Sequence, residues 1–431
     1  MVCLTYLIVS GGAYGLEDAV GIAGPRVTLL LCLVVPLSLS LPTALMAAEL
    51  TALMPVEGGF YFWVKEALGP FAGFAEAYLT ILYTAVDTAI YPVLFMTYLG
   101  FITGLGTSAQ VMAGLAVIWL AGLLNLIGVR PVGRGSVILT ALLLAPLAAL
   151  VVAGAPHLLH WRPQLQPRAG GGFAALAGGL TVVIWNFSGW ENLSVVAAEM
   201  ENPRRNYLRA VAIALPLVVL GYVLPLLVSV VDAGATVRWQ TGSFAAAGYR
   251  IGGPILGTAI GAGGAISAFA MFEAAMLWVS RMPFVLAGEG YLPRGLASIW
   301  SPHATPARSI VLCCLVFTLL IPLGFIALVV LDVFFYMLAL VLEMWALLRL
   351  RRLHPRRDGL FVIGGGRAAL CVIAAAPLLT WIATLGLALS HTGSRRDFLV
   401  AIGLAACVLP AYMLLRRRYG GPAIPNPAEP L

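Results

Sequence analysis

Carboxylate side chains occur within long apolar stretches of this chain, where basic side chains almost never occur. An acidic residue at membrane depth costs about 2.5–3.5 kcal/mol on insertion scales, so each one is a candidate for function. Their positive partners must come from elsewhere, and a cationic substrate or a proton would serve. The acidic residues in or at the ends of predicted spans are Glu17, Asp18, Glu49, Glu76, Asp87, Glu191, Glu199, Glu273, Asp332 and Glu343.

One predicted helix carries a stripe of polar side chains. The stripe consists of Glu76, Thr80, Tyr83, Asp87 and Tyr91, at spacings of four, three, four and four residues. Those spacings place the five side chains on one helix face. Asp87 lies near the middle of the helix, with a tyrosine one turn away on either side, and aromatic faces beside a carboxylate suit an ammonium group. The alternative is a buried aspartate that only holds helices together through those hydroxyls.

Two apolar stretches are interrupted by glycine and small polar residues and continue directly into acid. The first interruption reads SGGAYGLED at 10–18, and the second reads NFSGWE at 186–191. Unwound backbone inside a membrane is tolerated where it is buried in protein or lines a cavity, and matching interruptions in two halves of a chain indicate a substrate site. Glycine runs that only allow close helix packing are the alternative.

The second interruption places Glu191 in the first turn of a half-helix, where negative charge is favourable on dipole grounds alone. Asn186 and Trp190 lie beside it in the sequence. A purely capping role for Glu191 is the alternative to substrate binding. A weaker copy of the polar stripe consists of Asp332, Tyr336 and Glu343, of which we place Tyr336 at the site and expect Glu343 to pair with nearby arginines.

Five carboxylates are candidates for carrying a coupling proton: Glu17, Asp18, Asp87, Glu191 and Glu273. For Glu17 and Asp18, an equally good interpretation is a gate or cap on the outer side. Glu273 could instead bond to a neighbouring break in the backbone.

The composition is that of an integral membrane protein. The chain has 431 residues, 61% of them hydrophobic and 10% charged, with a mean hydropathy of +0.98. About 20 apolar residues span a bilayer, so the chain has room for about a dozen spans and no sizeable soluble domain. The six cysteines lie in apolar stretches without metal-ligand spacing. No cofactor, metal or enzymatic motif is present, and the net charge of +7 needs no nucleic-acid partner because the topology explains it.

Apolar runs predict twelve helices, with breaks in the first and sixth. Their approximate bounds are 1–22, 26–54, 70–100, 109–129, 135–155, 173–200, 207–231, 254–286, 308–325, 326–349, 367–390 and 398–415. The breaks predict two inverted five-helix repeats, 1–155 and 173–350, followed by a helix pair at 367–418 and a cytoplasmic tail at 419–431.

An even number of spans puts both termini on one side of the membrane. Of the 25 basic residues, 18 fall on the terminal side and seven on the opposite side. The positive-inside rule therefore predicts that both termini lie in the cytoplasm, in a plasma or inner membrane.

Four segments carry a family resemblance that covers nearly the whole chain. They are SGGAYGLEDAVG at 10–21, PVEGGFYFWVKEALGPFAGF at 55–74, VDTAIYPVLFMTYL at 86–99 and NFSGWENLSVVAAEMENPRRNY at 186–207. Together they resemble the amino acid–polyamine–organocation superfamily, and within it the plant-type polyamine uptake transporters of the L-type permease branch.

The resemblance implies a ten-plus-two inverted-repeat fold and proton-coupled import of organic cations such as putrescine or spermidine. It maps family substrate positions onto Asp87, Tyr91, Asn186, Trp190, Glu191 and Tyr336. The eighth span departs from the family pattern, with Met271-Phe272-Glu273-Ala274-Ala275 where a serine-rich run is expected. The fifth span lacks the lysine that replaces sodium in some permeases, which favours protonation elsewhere.

Three other classes of function compete with polyamine import. An amino acid permease of the same fold would hold a substrate carboxylate on the backbone amides of Gly11, Gly12 and Ala13. A nutrient sensor or channel would bind the same ligand without accumulating it, but short loops and inverted breaks argue against both. A membrane enzyme would need a nucleophile–base pair or a cofactor motif.

Overall fold

A computed structural model describes residues 5–6, 9–56, 59–128, 134–159, 172–192, 194, 203–233, 238–354, 360–389 and 392–419. Within these ranges the chain is helical apart from short connections and one isolated bridge between Trp300 and Thr305. The predicted tail lies outside the described residues beyond Tyr419. Of the predicted span 173–200, residue 193 and residues 195–200 lie outside the described residues.

The α-helices have the following bounds in chain order. They are α1 (Glu17–Ala23), α2 (Pro25–Val35), α3 (Leu41–Leu53), α4 (Gly59–Leu68), α5 (Pro70–Thr103), α6 (Thr107–Leu126), α7 (Arg134–Leu159), α8 (Gly172–Phe187), α9 (Pro203–Ala233), α10 (Ser243–Val279), α11 (Arg281–Gly288), α12 (Ala307–Leu320), α13 (Phe325–Leu353), α14 (Gly366–Leu389), α15 (Thr392–Ala406) and α16 (Val408–Tyr419).

Nine stretches of the described residues are long and apolar enough to cross a membrane, and the shorter helical stretches Gly172–Phe187 and Ala307–Leu323 are apolar as well. The nine are Pro25–Leu53, Pro70–Thr103, Thr107–Leu126, Thr140–Leu158, Tyr207–Asp232, Ser243–Gly288, Phe325–Leu353, Gly366–Leu387 and Phe398–Tyr419. Large side chains such as Ile255 and Leu319 stay exposed on helix surfaces, as lipid contact requires. The prediction of an all-α multi-pass membrane protein is confirmed.

Two element boundaries differ from the sequence prediction. Residues 59–68 form the separate helix α4, which is not among the predicted spans because ten residues are too short to cross a bilayer. Helix α10 begins earlier than predicted, at Ser243, but it consists of two helical segments separated by the non-helical Gly253, whose φ is 70° and ψ −167°. The second segment begins at Pro254, where the sequence predicts a helix start, since proline is favoured in the first turn.

Helix α4 is tied to the connection after α11 by a polar contact. Lys65 forms an ion pair of 2.5 Å with Glu289, and the Tyr61 hydroxyl donates to the same carboxylate at 3.0 Å. Burial, followed by the charge of Glu289, raises the pKa of Tyr61. The hydroxyl therefore stays protonated and keeps its role as donor.

The first helix unwinds where the sequence predicted a break. Residues 10–16 are non-helical between the helical positions up to Val9 and the start of α1. The freed backbone groups are bound by side chains: Ser267 of α10 donates to the Gly11 carbonyl, and the Gly15 N–H donates to Glu17 at 2.7 Å. Gly12 donates its N–H to the Ser10 hydroxyl at 3.1 Å.

The second break follows α8 and is held by side chains from three other helices. A π-helical turn at Pro36–Ser40 brings the Ser40 hydroxyl to 2.7 Å from the Phe187 carbonyl. The Tyr222 hydroxyl of α9 donates to the Asn186 carbonyl at 3.0 Å, and the Gly189 N–H donates to the Tyr336 hydroxyl of α13 at 3.2 Å. Backbone polar groups that a helix would have satisfied are thus paired inside the apolar interior.

Helix α5 lies at the centre of the bundle and packs against α10 and α13 more extensively than against its other neighbours. Helix α1 packs against α8, which brings the two breaks to the same region. Three members of the polar stripe of α5, Tyr83, Asp87 and Tyr91, line a common cavity with residues of both breaks.

We expect Gly15→Ala to destabilise the fold by about 1–2 kcal/mol, because Gly15 has a φ of 89° and an added Cβ would lie 3.0 Å from Trp185 and 3.2 Å from Phe325. The measurement is the thermal unfolding midpoint in detergent. Gly386→Ala is the matched control, because Gly386 is helical and nothing lies near its Cβ position. An unchanged midpoint for Gly15→Ala would show that this break does not require glycine.

Candidate functional site

A cavity lies between the two breaks and the facing sides of α5, α10 and α13. It encloses about 50 Å³, room for a few water molecules. No basic side chain lies among its described lining residues. Those residues are Val9, Gly11, Gly12, Tyr14, Tyr83, Asp87, Tyr91, Leu94, Trp185, Asn186, Ser188, Gly189, Asn192, Tyr222, Gly264, Ser267, Ala268, Met271, Asp332 and Tyr336.

Asp87 is held in the cavity wall by two aromatic donors. The Tyr91 hydroxyl lies 3.1 Å from its Oδ2 atom, and the Trp185 indole N–H donates to its Oδ1 atom at 2.8 Å. Asp332 of α13 lies within electrostatic range of Asp87 and also lines the cavity. Two carboxylates and two aromatic rings therefore converge on one end of the cavity.

A tyrosine pair lies next to these two carboxylates. The Tyr83 and Tyr336 rings meet edge to face, with centroids 5.6 Å apart. Asp87 follows Tyr83 by four residues, and Asp332 precedes Tyr336 by four residues. Helices α5 and α13 therefore run antiparallel. Because the spacing of four residues is the same on both helices, tyrosine lies beside tyrosine and aspartate beside aspartate.

Glu191 lies behind the tyrosine pair and outside the cavity wall. Its Oε2 atom accepts a hydrogen bond of 3.0 Å from the Tyr336 hydroxyl, which in turn accepts the Gly189 N–H. Glu191 is fully buried. Tyr336 is thus the contact between the cavity and this carboxylate.

The structure brings six of the predicted substrate residues together in the cavity wall and leaves three outside it. Gly11, Gly12, Asp87, Tyr91, Asn186 and Tyr336 line the cavity, whereas Ala13, Trp190 and Glu191 do not. The buried indole of Trp190 donates to the Phe187 carbonyl at 3.0 Å, so it supports the second break.

Glu17 and Asp18 do not line the cavity, and they bind the residues just before α10. Glu17 accepts the Tyr98 hydroxyl at 2.8 Å and the Gly242 N–H at 3.3 Å. Asp18 accepts the Thr241 hydroxyl at 2.6 Å. These hydrogen bonds join the first turn of α1 to α5 and to the residues before α10, and we call them the cap over this end of α1.

Glu273 is buried on α10 beside Asn125 of α6 and does not line the cavity. Ser267, six residues earlier on the same helix, reaches the first break. The eighth predicted span therefore contacts the first break through Ser267. This residue precedes 271–275, the segment that departs from the family pattern.

Trp185, Ser267 and Asp332 also belong to the site and were not placed there from sequence, although Asp332 was named among the acidic residues of the spans. Asp332 carried a signal, because its spacing to Tyr336 repeats the spacing of Asp87 to Tyr83. Trp185 and Ser267 carried none, since each meets its partner only through the packing of helices distant in sequence.

No cluster of three or more metal-ligating side chains occurs in the described part of the chain. The cavity offers carboxylates, hydroxyls and aromatic faces. Such a set of groups can bind a small cation, and it lacks a nucleophile–base pair for covalent chemistry.

A multi-pass helical protein with a polar cavity between two interrupted helices has the architecture of a membrane transporter. Residues 2–403 match the family model described as amino acid permease, and the chain belongs to this family. Membership in a permease family supports a non-enzymatic role at the family level.

Relatives with similar sequences carry transporter names. A probable polyamine transporter of Arabidopsis thaliana is 30% identical over 94% of this chain and 81% of its own length. The polyamine transporter PUT1 of Oryza sativa subsp. japonica is 31% identical, over 97% of this chain and 79% of its own. The Asc-type amino acid transporter 1 of Mus musculus is 28% identical, over 62% of this chain and 53% of its own.

A double-mutant cycle tests the cap at Glu17. We expect Glu17→Ala and Tyr98→Phe to show a coupling energy of about 1 kcal/mol or more, since their 2.8 Å hydrogen bond is buried. The free energy of unfolding in detergent is the quantity measured. Tyr78→Phe, whose hydroxyl binds the Leu404 carbonyl elsewhere, is the control and should be additive with Glu17→Ala. Additivity with Tyr98→Phe would refute the cap and leave Glu17 as a proton candidate.

Proposed function

We propose that the protein imports small organic cations, polyamines such as putrescine and spermidine, by alternating access driven by a proton gradient. The observation that carries the proposal is the pairing of Asp87 with Asp332 at one end of a cavity whose described lining has no basic side chain. Two carboxylates without a protein cation suit a ligand that brings its own positive charge. The names of the plant relatives agree with this ligand class.

The aromatic walls explain how an ammonium group would be held. Tyr91 and Trp185 flank Asp87, with ring centroids 6.4 Å apart. A cation beside their faces gains attraction to the rings in addition to that of the carboxylates. The remaining polar groups of the cavity, on Ser188, Asn192 and Tyr336, can accept hydrogen bonds from a second amine.

An amino acid permease is the second candidate, because Gly11 and Gly12 line the same cavity and a mouse relative is named as an amino acid transporter. In that case the backbone amides of the first break would bind a substrate carboxylate. The Gly12 N–H, however, already donates to Ser10. The two carboxylates nearby would also repel a substrate carboxylate, which favours the organic cation.

The proposed membrane arrangement has twelve spans in two inverted five-helix repeats, 1–155 and 173–350, followed by a pair at 367–418. Nine candidate spans, two shorter apolar stretches and a broken first helix are consistent with that number. We place both termini, with the tail 419–431, in the cytoplasm of a cell that carries the protein in its plasma or inner membrane. The excess of basic residues on that side supports this orientation.

Uptake into proteoliposomes with outside-acid and inside-acid pH gradients tests the function. We expect saturable putrescine uptake driven by outside acid, with KM raised about 10–100-fold in Asp87→Asn and Asp332→Asn, because each removes a charge-assisted contact. Leucine, which has no second amine, should compete poorly. Arginine carries both a cation and a carboxylate and serves as the intermediate substrate.

Glu66→Gln is the matched control, because it removes one carboxylate charge at an exposed position of α4. It should leave the KM for putrescine unchanged. Uptake restricted to substrates with a carboxylate would contradict the proposal and move the binding site to the amides of Gly11 and Gly12.

A further inference from the structure

A second group of carboxylates lies on the far side of the tyrosine pair from Asp87 and Asp332. Glu76 precedes Tyr83 by seven residues, and Glu343 follows Tyr336 by seven residues. Because α5 and α13 run antiparallel, these equal spacings put Glu76 and Glu343 side by side, and each lies within electrostatic range of Glu191. We call Glu76, Glu191 and Glu343 the inner cluster.

Tyr83 and Tyr336 separate the inner cluster from the cavity. None of its three carboxylates lines the cavity. By a rise of 1.5 Å per residue, Glu76 lies about 16 Å along α5 from Asp87. In the proposed orientation the inner cluster is in the cytoplasmic half of the protein.

The inner cluster is buried and short of hydrogen-bond donors. Glu76 and Glu191 are 0% exposed and Glu343 is 2% exposed. Glu76 accepts from the Thr80 hydroxyl at 3.3 Å, and Glu191 accepts from Tyr336. Among the described residues, the other oxygen of Glu76 (Oε2), the other oxygen of Glu191 (Oε1) and the Oε2 atom of Glu343 are buried without a hydrogen-bond partner.

Among the residues that the structure describes, no basic side chain acts electrostatically on Glu76, Glu191 or Glu343. The described ion pairs of basic residues go to other carboxylates, such as that of Arg351 to Glu49. The described titratable groups that face the cluster are Tyr83, Tyr207, Tyr336 and, within electrostatic range of Glu191, Asp332. Three adjacent buried carboxylates cannot all stay charged without a cation, because each unpaired charge would cost several kcal/mol.

Protons fit this cluster better than a metal ion. The described residues contain no group of three or more ligands arranged to hold a metal. A proton needs only one carboxyl oxygen as its site and another as acceptor. The unpartnered oxygens of the cluster supply both.

We propose that the inner cluster holds the coupling proton, and that Tyr336 connects it to the substrate cavity. The proposal rests on the function proposed above and names the residues that carry its coupling. Tyr336 lines the cavity and donates to Glu191. A proton entering from the cavity reaches Glu191 by displacement along this hydroxyl: Tyr336 passes its proton to the carboxylate and accepts another from the cavity side. Glu191 then passes its proton to an unpartnered oxygen of Glu76 or Glu343, and the proton leaves from that residue toward the cytoplasm.

The cluster differs from the proton candidates chosen from sequence. Glu17 and Asp18 are bound by several donors in a cap, and Glu273 lies outside the cavity wall beside Asn125. Of the five candidates, only Glu191 belongs to the cluster, and its two partners there, Glu76 and Glu343, were not among them.

Infrared spectroscopy of the reconstituted full-length protein tests the cluster without relying on transport. At neutral pH we expect an absorption band of protonated carboxyl groups, and we expect both Glu76→Gln and Glu343→Gln to change it. Glutamine is neutral and nearly isosteric with protonated glutamate, so we expect the thermal unfolding midpoint to be unchanged. Glu66→Gln, on the exposed face of α4, should leave the band unaltered. A band identical in all four proteins would overturn the proposal.

Transport of putrescine by the same variants separates coupling from binding. We expect counterflow without a pH gradient to stay within about twofold of wild type, and stimulation by outside acid to fall about tenfold or more. Loss of counterflow in a folded variant, or full stimulation in both variants, would overturn the proposal. Absence of counterflow in the wild type would refute the function, and the infrared result would still decide whether the cluster holds a proton.

Discussion

Two groups of buried carboxylates, Asp87 with Asp332 and the inner cluster, have no basic partner among the described residues, and this is the constraint on which the rest of the structure depends. Helices α5 and α13 meet it together: the Tyr83–Tyr336 contact separates Asp87 and Asp332, which face the cavity, from Glu76 and Glu343, which do not. Matching spacings of four and seven residues on antiparallel helices produce this order. Asp87 and Asp332 are therefore accessible to a ligand. Glu76 and Glu343 are closed off from it, and their negative charge must be neutralised by something other than the ligand.

The two breaks make the cavity possible and impose a second requirement, since their backbone groups lie in an apolar interior. Side chains from distant helices meet it. Ser267 binds the first break, while Ser40, placed by a π-helical turn, binds the second. Tyr336 binds both the Gly189 N–H and Glu191, so backbone order at the second break and the environment of that carboxylate depend on the same hydroxyl. A change in the backbone at the second break is therefore expected to alter the environment of Glu191, and protonation of Glu191 is expected to alter that backbone.

The sequence predicted those features that depend on one segment at a time. Long apolar runs gave the helical membrane class, and glycine with small polar residues gave the position of the unwound residues 10–16. Spacing placed Asp87 and Tyr91 on one face. What sequence could not predict are contacts between segments, such as the Trp185 bond to Asp87. Glu343 shows this limit: proximity in sequence to arginines predicted an ion pair, yet Arg351 binds Glu49, and Glu343 lies within electrostatic range of Glu76 and Glu191.

A cryo-electron microscopy structure of the full chain with bound putrescine tests most directly whether the cavity is a cation site. If the cavity binds a cation, density for an amine will lie between Asp87 and Asp332, beside the rings of Tyr91 and Trp185. The inner cluster will then stay separated from the ligand by Tyr83 and Tyr336. A ligand bound at the backbone amides of Gly11 and Gly12, with no contact to either aspartate, would contradict a cation site.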